Sequence, residues 1–359
     1  MERSHSKIPI LILSDGKMGH LKQSLAAASW IEGGESRVVS VNYSFFTARL
    51  LLTLASYFPF KKKGGGLLLK WFLKSETFNS ILGYPAEIII SAGAGISITN
   101  LLAAKVLSAK SIVIMKPPGG GQHRYALRII PEHDLPKRLP NTVITLGAPT
   151  AISPDLLLSE AKKLASSLKL TNRKIASVFI GGNTSKYRFD PEKIFSLIET
   201  LKQFCESHHF DLLITTSRRT PKEVDMVLKQ AFSIYPHCKL LTIWRENPKD
   251  CVAGMLGLSE WVLVTEDSIS MISDAVNSGK KVIVLKMNKR GGLKRKQRHF
   301  LQALEERSHI AIASAETLKE VVIKTSSDKT PAVTLNDRLT IQEKLKEIMG
   351  RPSVQNNTL

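Results

Sequence analysis

Short apolar runs alternate with longer amphipathic segments through most of the chain, and that alternation predicts two successive α/β domains. In the first half, runs rich in isoleucine, valine and leucine stand at 8–13, 37–41, 87–91, 111–115, 127–130 and 142–145, with helical stretches at 21–30 and 97–109. A second series occupies 175–180, 210–215, 239–243, 261–265 and 281–285, with helices at 191–207 and 221–232. Short, nearly charge-free runs separated by helices mark parallel strands covered on both faces. The expected fold class is α/β: two doubly wound Rossmann-like domains facing a central cleft, on which the strand C-termini converge. The hydrophilic connection at 171–174 divides the chain into domains 1–168 and 169–330. A C-terminal helix with a frayed polar tail is expected over 331–359.

The turns at the strand ends carry the chemistry. The run at 261–264 passes into Thr265-Glu266-Asp267-Ser268-Ile269-Ser270, then into a helix that Gly279 closes. Ser268 or Ser270 can cap that helix, leaving amides and the positive dipole end above the sheet, where open α/β folds hold phosphate. Asp274 lies one turn beyond Ser270 on the same helix face, in reach of a sugar hydroxyl. Three more strand ends of this half have similar turns. They are Gly181-Gly182-Asn183-Thr184-Ser185-Lys186, Ser217-Arg218-Arg219-Thr220-Pro221 and Trp244-Arg245-Glu246-Asn247. The paired arginines with Ser217 make a candidate diphosphate clamp.

In the first half, the turn Ser14-Asp15-Gly16-Lys17-Met18-Gly19-His20 opens a helix that continues through Gln23. Gly16 and Gly19 allow close backbone approach, but the three-glycine dinucleotide fingerprint is absent, so a nicotinamide cofactor is not indicated. Asp15, His20 and Gln23 could share one opening, and a histidine there suits general-base work on an acceptor hydroxyl. Glu132-His133-Asp134 reads as a polar turn facing the cleft. With no second ligand pair at suitable spacing, no metal site is expected.

Composition narrows the partners. Of 359 residues, 51 are Lys or Arg against 31 Asp or Glu, a formal charge of +20 that favours anionic partners. Nucleic acid is not the expected one, because no recognition motif or stacking pattern accompanies the charge. Three cysteines form no CxxC pair and imply no disulfide framework. The N-terminus shows no signal-peptide pattern, which favours a cytoplasmic protein. The stretch from Phe45 to Lys74 combines an apolar run over 50–60, Lys61-Lys62-Lys63, three glycines and a second apolar run holding Trp71. It is too short to span a bilayer. It suits either a segment lying on the inner face of an anionic membrane or two core helices with basic ends. Lys286, Lys289, Arg290, Lys294, Arg295, Lys296 and Arg298 form a further basic segment around Gly291-Gly292.

These motifs, in this order, resemble the mitochondrial fission Elm-type (elongated mitochondria) family, which has many bacterial members. The matching pieces are SDGKMGHLKQS, PEHD, FIGGNTSKYRF, TTSRRTP, the tryptophan-to-NP turn and VTEDSISMISDAVNSGKKV. The resemblance implies a divergent glycosyltransferase-B-like fold, similar in outline to MurG and lipid A disaccharide synthase. In such enzymes the C-terminal domain grips a nucleotide-sugar and the N-terminal domain presents a lipid-linked acceptor. It would place Glu266 to Ser270 at the donor phosphates, Asp274 near the ribose, and Gly19-His20 on the acceptor side. Asp274 stands where glutamate is usual, which shortens the reach to a ribose, and the 45–74 insertion lies outside the signature.

The resulting expectation is a metal-independent glycosyltransferase-like protein, peripherally bound to a membrane. It would transfer sugar from a nucleotide-sugar to an envelope glycolipid, with Asp15 or His20 deprotonating the acceptor and no cofactor beyond that substrate. Plant members of the family are adaptors that recruit a dynamin-like protein to mitochondria, so a non-catalytic membrane adaptor is the alternative.

Overall fold

The computed structural model describes residues 7–184, 187–248, 250–290, 292–327, 332 and 334–350. Ser185, Lys186, Gly291, the tail 351–359 and the side chains of Asn288, Lys289 and Arg290 lie outside that description. The chain divides into two compact units, Met1–Ala151 with Asn336–Leu359, and Ile152–Leu335.

The first unit holds one parallel sheet of β1 (Ile8–Ser14), β2 (Gly34–Ser40), β3 (Ile88–Ala92), β4 (Lys110–Ile114), β5 (Leu127–Pro131) and β6 (Thr142–Thr145). Their order is β2-β1-β3-β4-β5-β6. The second unit contains β7 (Lys174–Ile180), β8 (Arg188–Phe189), β9 (Phe210–Thr216), β10 (Cys238–Thr242), β11 (Trp261–Thr265), β12 (Lys281–Leu285), β13 (Asn288–Arg290) and β14 (Ala311–Ala313). Its main sheet is also parallel, ordered β10-β9-β7-β11-β12-β14, while β8 and β13 pair antiparallel beside it. Both sheets are doubly wound, as the apolar alternation predicts. The winding reverses between β1 and β3 in one sheet and between β7 and β11 in the other. Loops leaving those neighbours part at the strand C-termini, and this is where open α/β sheets form binding crevices.

Two boundaries differ from the sequence expectation. The division falls after Ala151 rather than at 168, because the helix Pro154–Ala165 packs on the helix Val252–Leu258 of the second unit. Glycines permit this contact: a Cβ on Gly257 would lie 2.3 Å from the Leu157 carbonyl oxygen, and one on Gly254 2.9 Å from that of Glu160. Alanine is intrinsically the better helix former, by about 1 kcal/mol. Gly257→Ala should nevertheless destabilise the second unit by about 1–3 kcal/mol through overpacking. A urea denaturation midpoint equal to or above that of the parent would disprove this packing account.

The C-terminal helix Asp337–Ile348 is part of the first unit, not a separate appendage. Its Ile341 and Leu345 are buried against that sheet's core. The Asp337 carboxylate accepts from the Leu146 and Gly147 amides at 2.7–3.0 Å, fixing the chain just after β6.

The 45–74 stretch forms two helices, Ala48–Ala55 and Lys62–Phe72, each two-sided in its apolar residues. Leu52 and Leu69 are buried in the core. Leu50, Leu54, Leu67 and Trp71 stay exposed, as do Phe46 and Phe58. The end of the first helix is pinned, since Arg124 donates to the Ser56 and Phe58 carbonyls and the Gly120 amide donates to Ser56 Oγ. No helix among the described residues is long and apolar enough to cross a membrane.

Candidate functional site

At the reversal of the C-terminal sheet, three strand-end turns are tied into one rim. The Gly181 amide donates to Thr265 Oγ1 at 2.7 Å, and that hydroxyl donates to Asp267 Oδ1 at 2.7 Å. The Gly182 amide donates to Asp267 Oδ2 at 3.0 Å, and Arg219 pairs with the same oxygen at 2.7 Å. The Asn183 amide donates to the Arg219 carbonyl at 3.0 Å. Thr220 completes the knot: its Oγ1 accepts from the Ser217 amide and donates to the Gly181 carbonyl at 2.6 Å. Only glycine fits between these groups. A Cβ on Gly181 would stand 2.1 Å from Asp267 Oδ1, and one on Gly182 2.0 Å from the Arg219 carbonyl oxygen.

Asp267 is therefore the buried centre of the rim. Burial pushes its carboxyl above the ordinary range, opposed by Arg219, the Thr265 hydroxyl and the Gly182 amide. Glu266 also turns inward, accepting from Tyr187 Oη and the Met287 amide, each at 3.2 Å. The resemblance would set both carboxylates at donor phosphates. In the structure both are buried and bind neighbouring loops. Ser268 caps the helix Ile269–Asn277, its Oγ accepting from the Met271 amide. Ser270 and Asp274 lie half-buried along that helix. Arg218 is exposed on the β9 turn and pairs with no carboxylate among the described residues. Ser217 lies in the same turn, its Oγ accepting from the Arg219 amide. Asn247 is further out, exposed beyond edge strand β10, with its turn joined to the rim by Arg245 donating to the Thr220 carbonyl.

The N-terminal unit has its own arrangement at the β1–β3 reversal. His20 Nδ1 and Asp15 Oδ2 are 2.9 Å apart, and the Asp15 side chain is only 3% exposed. The Lys17 amide donates to Asp15 Oδ1 at 3.1 Å. Burial alone would raise the Asp15 carboxyl; the charge of His20 and the amide and charge of Lys17 outweigh it and hold the carboxyl below its ordinary value. Gly16, at φ +81°, makes the turn, and Gly19 lies in the first turn of the helix Met18–Ser29. Gln23 is on that helix one turn from His20, with Oε1 buried and no hydrogen-bond partner.

Gly93 was missed by sequence reasoning. It leaves β3 at φ +100°, and a Cβ there would stand 2.5 Å from His20 Nδ1. The imidazole therefore rests on bare backbone, and the signal was Gly93-Ala94-Gly95 immediately after a predicted strand. His133 and Asp134 do not join this group. They are buried in a short turn after β5, where Asp134 accepts from the Lys116 amide just beyond β4. Among the described residues, no cluster of three or more His, Cys, Asp or Glu side chains could hold a metal ion.

Comparison with known proteins places this chain in a family. Residues 19–344 match the family described as mitochondrial fission ELM1. The chain belongs to the mitochondrial fission ELM1 family. An uncharacterized protein of Rickettsia prowazekii is 24% identical over 309 residues, covering 77% of this chain and 82% of its own. Among solved structures, the UDP-GlcNAc 2-epimerase of Methanocaldococcus jannaschii superposes with a TM-score of 0.57 at 10% identity, covering 96% of this chain and 99% of the other. The UDP-GlcNAc 2-epimerase of Neisseria meningitidis, bound to UDP-GlcNAc, gives 0.51 at 13% identity, covering 96% and 98%. This ELM1-family chain thus has a glycosyltransferase-B-like fold of two six-stranded parallel α/β domains.

Proposed function

We propose that the protein is a membrane-associated glycosyltransferase that binds a nucleotide-sugar in its C-terminal unit and transfers the sugar to an envelope glycolipid. The observation that carries this reading is the rim at the β7–β11 reversal. There Arg218, exposed and with no carboxylate partner among the described residues, and the capped N-terminus of the helix Ile269–Asn277 stand on two strand-end turns that the Arg219–Asp267 pair ties together. Guanidinium groups and helix amides stabilise a leaving diphosphate. The fold relatives named as UDP-GlcNAc epimerases make UDP-N-acetylglucosamine the first donor to test.

In the reaction, His20 Nε2 takes the proton of the acceptor hydroxyl while Asp15 holds Nδ1. The acceptor oxygen forms its bond to the anomeric carbon as the bond from that carbon to the diphosphate oxygen breaks. The nucleoside diphosphate departs with the electron pair. The exposed apolar faces of Ala48–Ala55 and Lys62–Phe72, beside Lys61, Lys62 and Lys63, support docking on the inner face of an anionic membrane.

Thermal-shift titration with UDP-, GDP- and CMP-linked sugars tests the donor site. A true donor at 100 times its dissociation constant should add about 2.7 kcal/mol. Replacing Arg218 and Ser268 with alanine should abolish the shift without unfolding the protein. An unchanged shift in that variant would remove the site. The inward turn of Glu266 and Asp267 favours a second reading, a non-catalytic membrane adaptor on the same fold. That protein would sediment with anionic vesicles yet respond to no nucleotide-sugar.

A further inference from the structure

We propose that Arg49 binds a phosphate group carried on an apolar chain, placing the acceptor's headgroup beside His20. This rests on the membrane-acceptor reading above and names the chemistry of that acceptor. Four observations converge. The Arg49 guanidinium lies 5.0 Å over the Tyr43 ring. Tyr43 is itself fixed, its hydroxyl donating to the Gly95 carbonyl at 2.9 Å and lying 2.9 Å from Thr99 Oγ1. Stacking of this kind orients an arginine without neutralising it, and no ion pair to a carboxylate accompanies it among the described residues.

The second observation is proximity to the proposed base. Arg49 Nη1 stands 3.7 Å from where a Gly95 Cβ would be, and the His20 ring covers Gly93 in the same way. Residues two apart in a chain are separated by no more than about 7 Å, so the imidazole and the guanidinium flank one short glycine loop. The Asp15 charge bears on Tyr43, which independently puts the two groups in one neighbourhood. Third, Gly93 and Gly95 add no side chains of their own, so the imidazole and the guanidinium both rest directly on that loop's backbone.

The fourth observation fixes what the anion is attached to. Arg49 sits in the first turn of the helix Ala48–Ala55, and Leu50, Leu51 and Leu54 just beyond it are exposed. Phe58 continues the apolar surface, on backbone that Arg124 holds in place. A soluble sugar phosphate would make no use of this surface. A lipid phosphate would, with its headgroup at Arg49 and its chain along the helix.

Isothermal titration calorimetry with farnesyl monophosphate below its micelle concentration, farnesol and inorganic phosphate separates the possibilities. The intact protein should bind farnesyl monophosphate at least tenfold more tightly than either other probe. Arg49→Ala should lose at least tenfold of that affinity, Arg49→Lys should recover part of it, and Leu54→Ser should narrow the margin over inorganic phosphate. Equal binding by Arg49→Ala overturns the proposal, as does failure of the intact protein to bind the lipid phosphate. Inorganic phosphate binding as tightly as the lipid would overturn its lipid half. The shift induced by UDP-sugar, measured on the same Arg49→Ala sample, reports separately on the donor reading. Its persistence alongside a failed lipid titration would sink only the inference about Arg49.

Discussion

Arg219→Ala is expected to lower the thermal midpoint of the C-terminal unit by roughly 5–10 °C, more than any other single change at the rim. The cause is the carboxylate it leaves behind. The Asp267 side chain is 0% exposed, and Arg219 is the cation paired with it. Breaking a buried pair from one side commonly costs about 3–5 kcal/mol. Arg219 is itself 34% exposed, so water can partly take its place, and about 2–3 kcal/mol is the better figure. Adding Asp267→Asn should return much of that loss, because the amide still accepts from Gly182 and carries no charge to strand. Calorimetry on the single and double variants decides it. If the double variant is less stable than Arg219→Ala alone, the cost lies in loop shape and not in buried charge.

This account changes what the glycine turn after β7 means. Read in sequence, Gly181-Gly182-Asn183 and Glu266-Asp267-Ser268 look like two independent anion-binding turns. In the structure they are halves of one device: Asp267 reaches across to the first turn, and the glycines exist because its carboxylate and the Arg219 backbone occupy the space of a side chain. Sequence could show that polar residues come after these strands. It could not show which faced a ligand and which faced each other, because that depends on strands distant in the chain becoming neighbours.

The same distinction governs how much else was legible. All six strands of the first sheet and five of the second stand where the apolar runs place them; strands buried on both faces leave an unbroken signal, while the exposed edge strand β2 registers through Val38-Val39 and the run that follows. The missing one, β14 at Ala311–Ala313, is a three-residue edge strand with too few positions to register. The domain boundary escaped because the reason for it, the close glycine contact of Pro154–Ala165 with Val252–Leu258, joins segments about 100 residues apart. The Asp15–His20 pair was visible because its members share one turn and the start of one helix. Gly93, which supports the ring, belongs to another strand and carries no side chain to draw notice.

The N-terminal pair yields the largest expected effect on rate. With His20 as general base, His20→Ala should reduce UDP release from UDP-N-acetylglucosamine, assayed with a total lipid extract as acceptor, by about 10²–10⁴-fold. Asp15→Asn should retain more activity, since it keeps the ring's neighbour in place but loses the charge that orients Nδ1. Gly93→Val should slow turnover without touching the donor shift, because its Cβ would collide with Nδ1 and displace the imidazole. The pH dependence separates the two roles. The folded Asp15 carboxyl lies below its ordinary 3.8, so its contribution to stability is present above that value and is lost as pH falls through the depressed one. Asp15 therefore stays ionised above its ordinary value, and an acid limb of the rate profile near neutral pH must come from another group. If that limb persisted unchanged in His20→Ala, another group would be exchanging the proton, and the assignment of His20 as the base would fall.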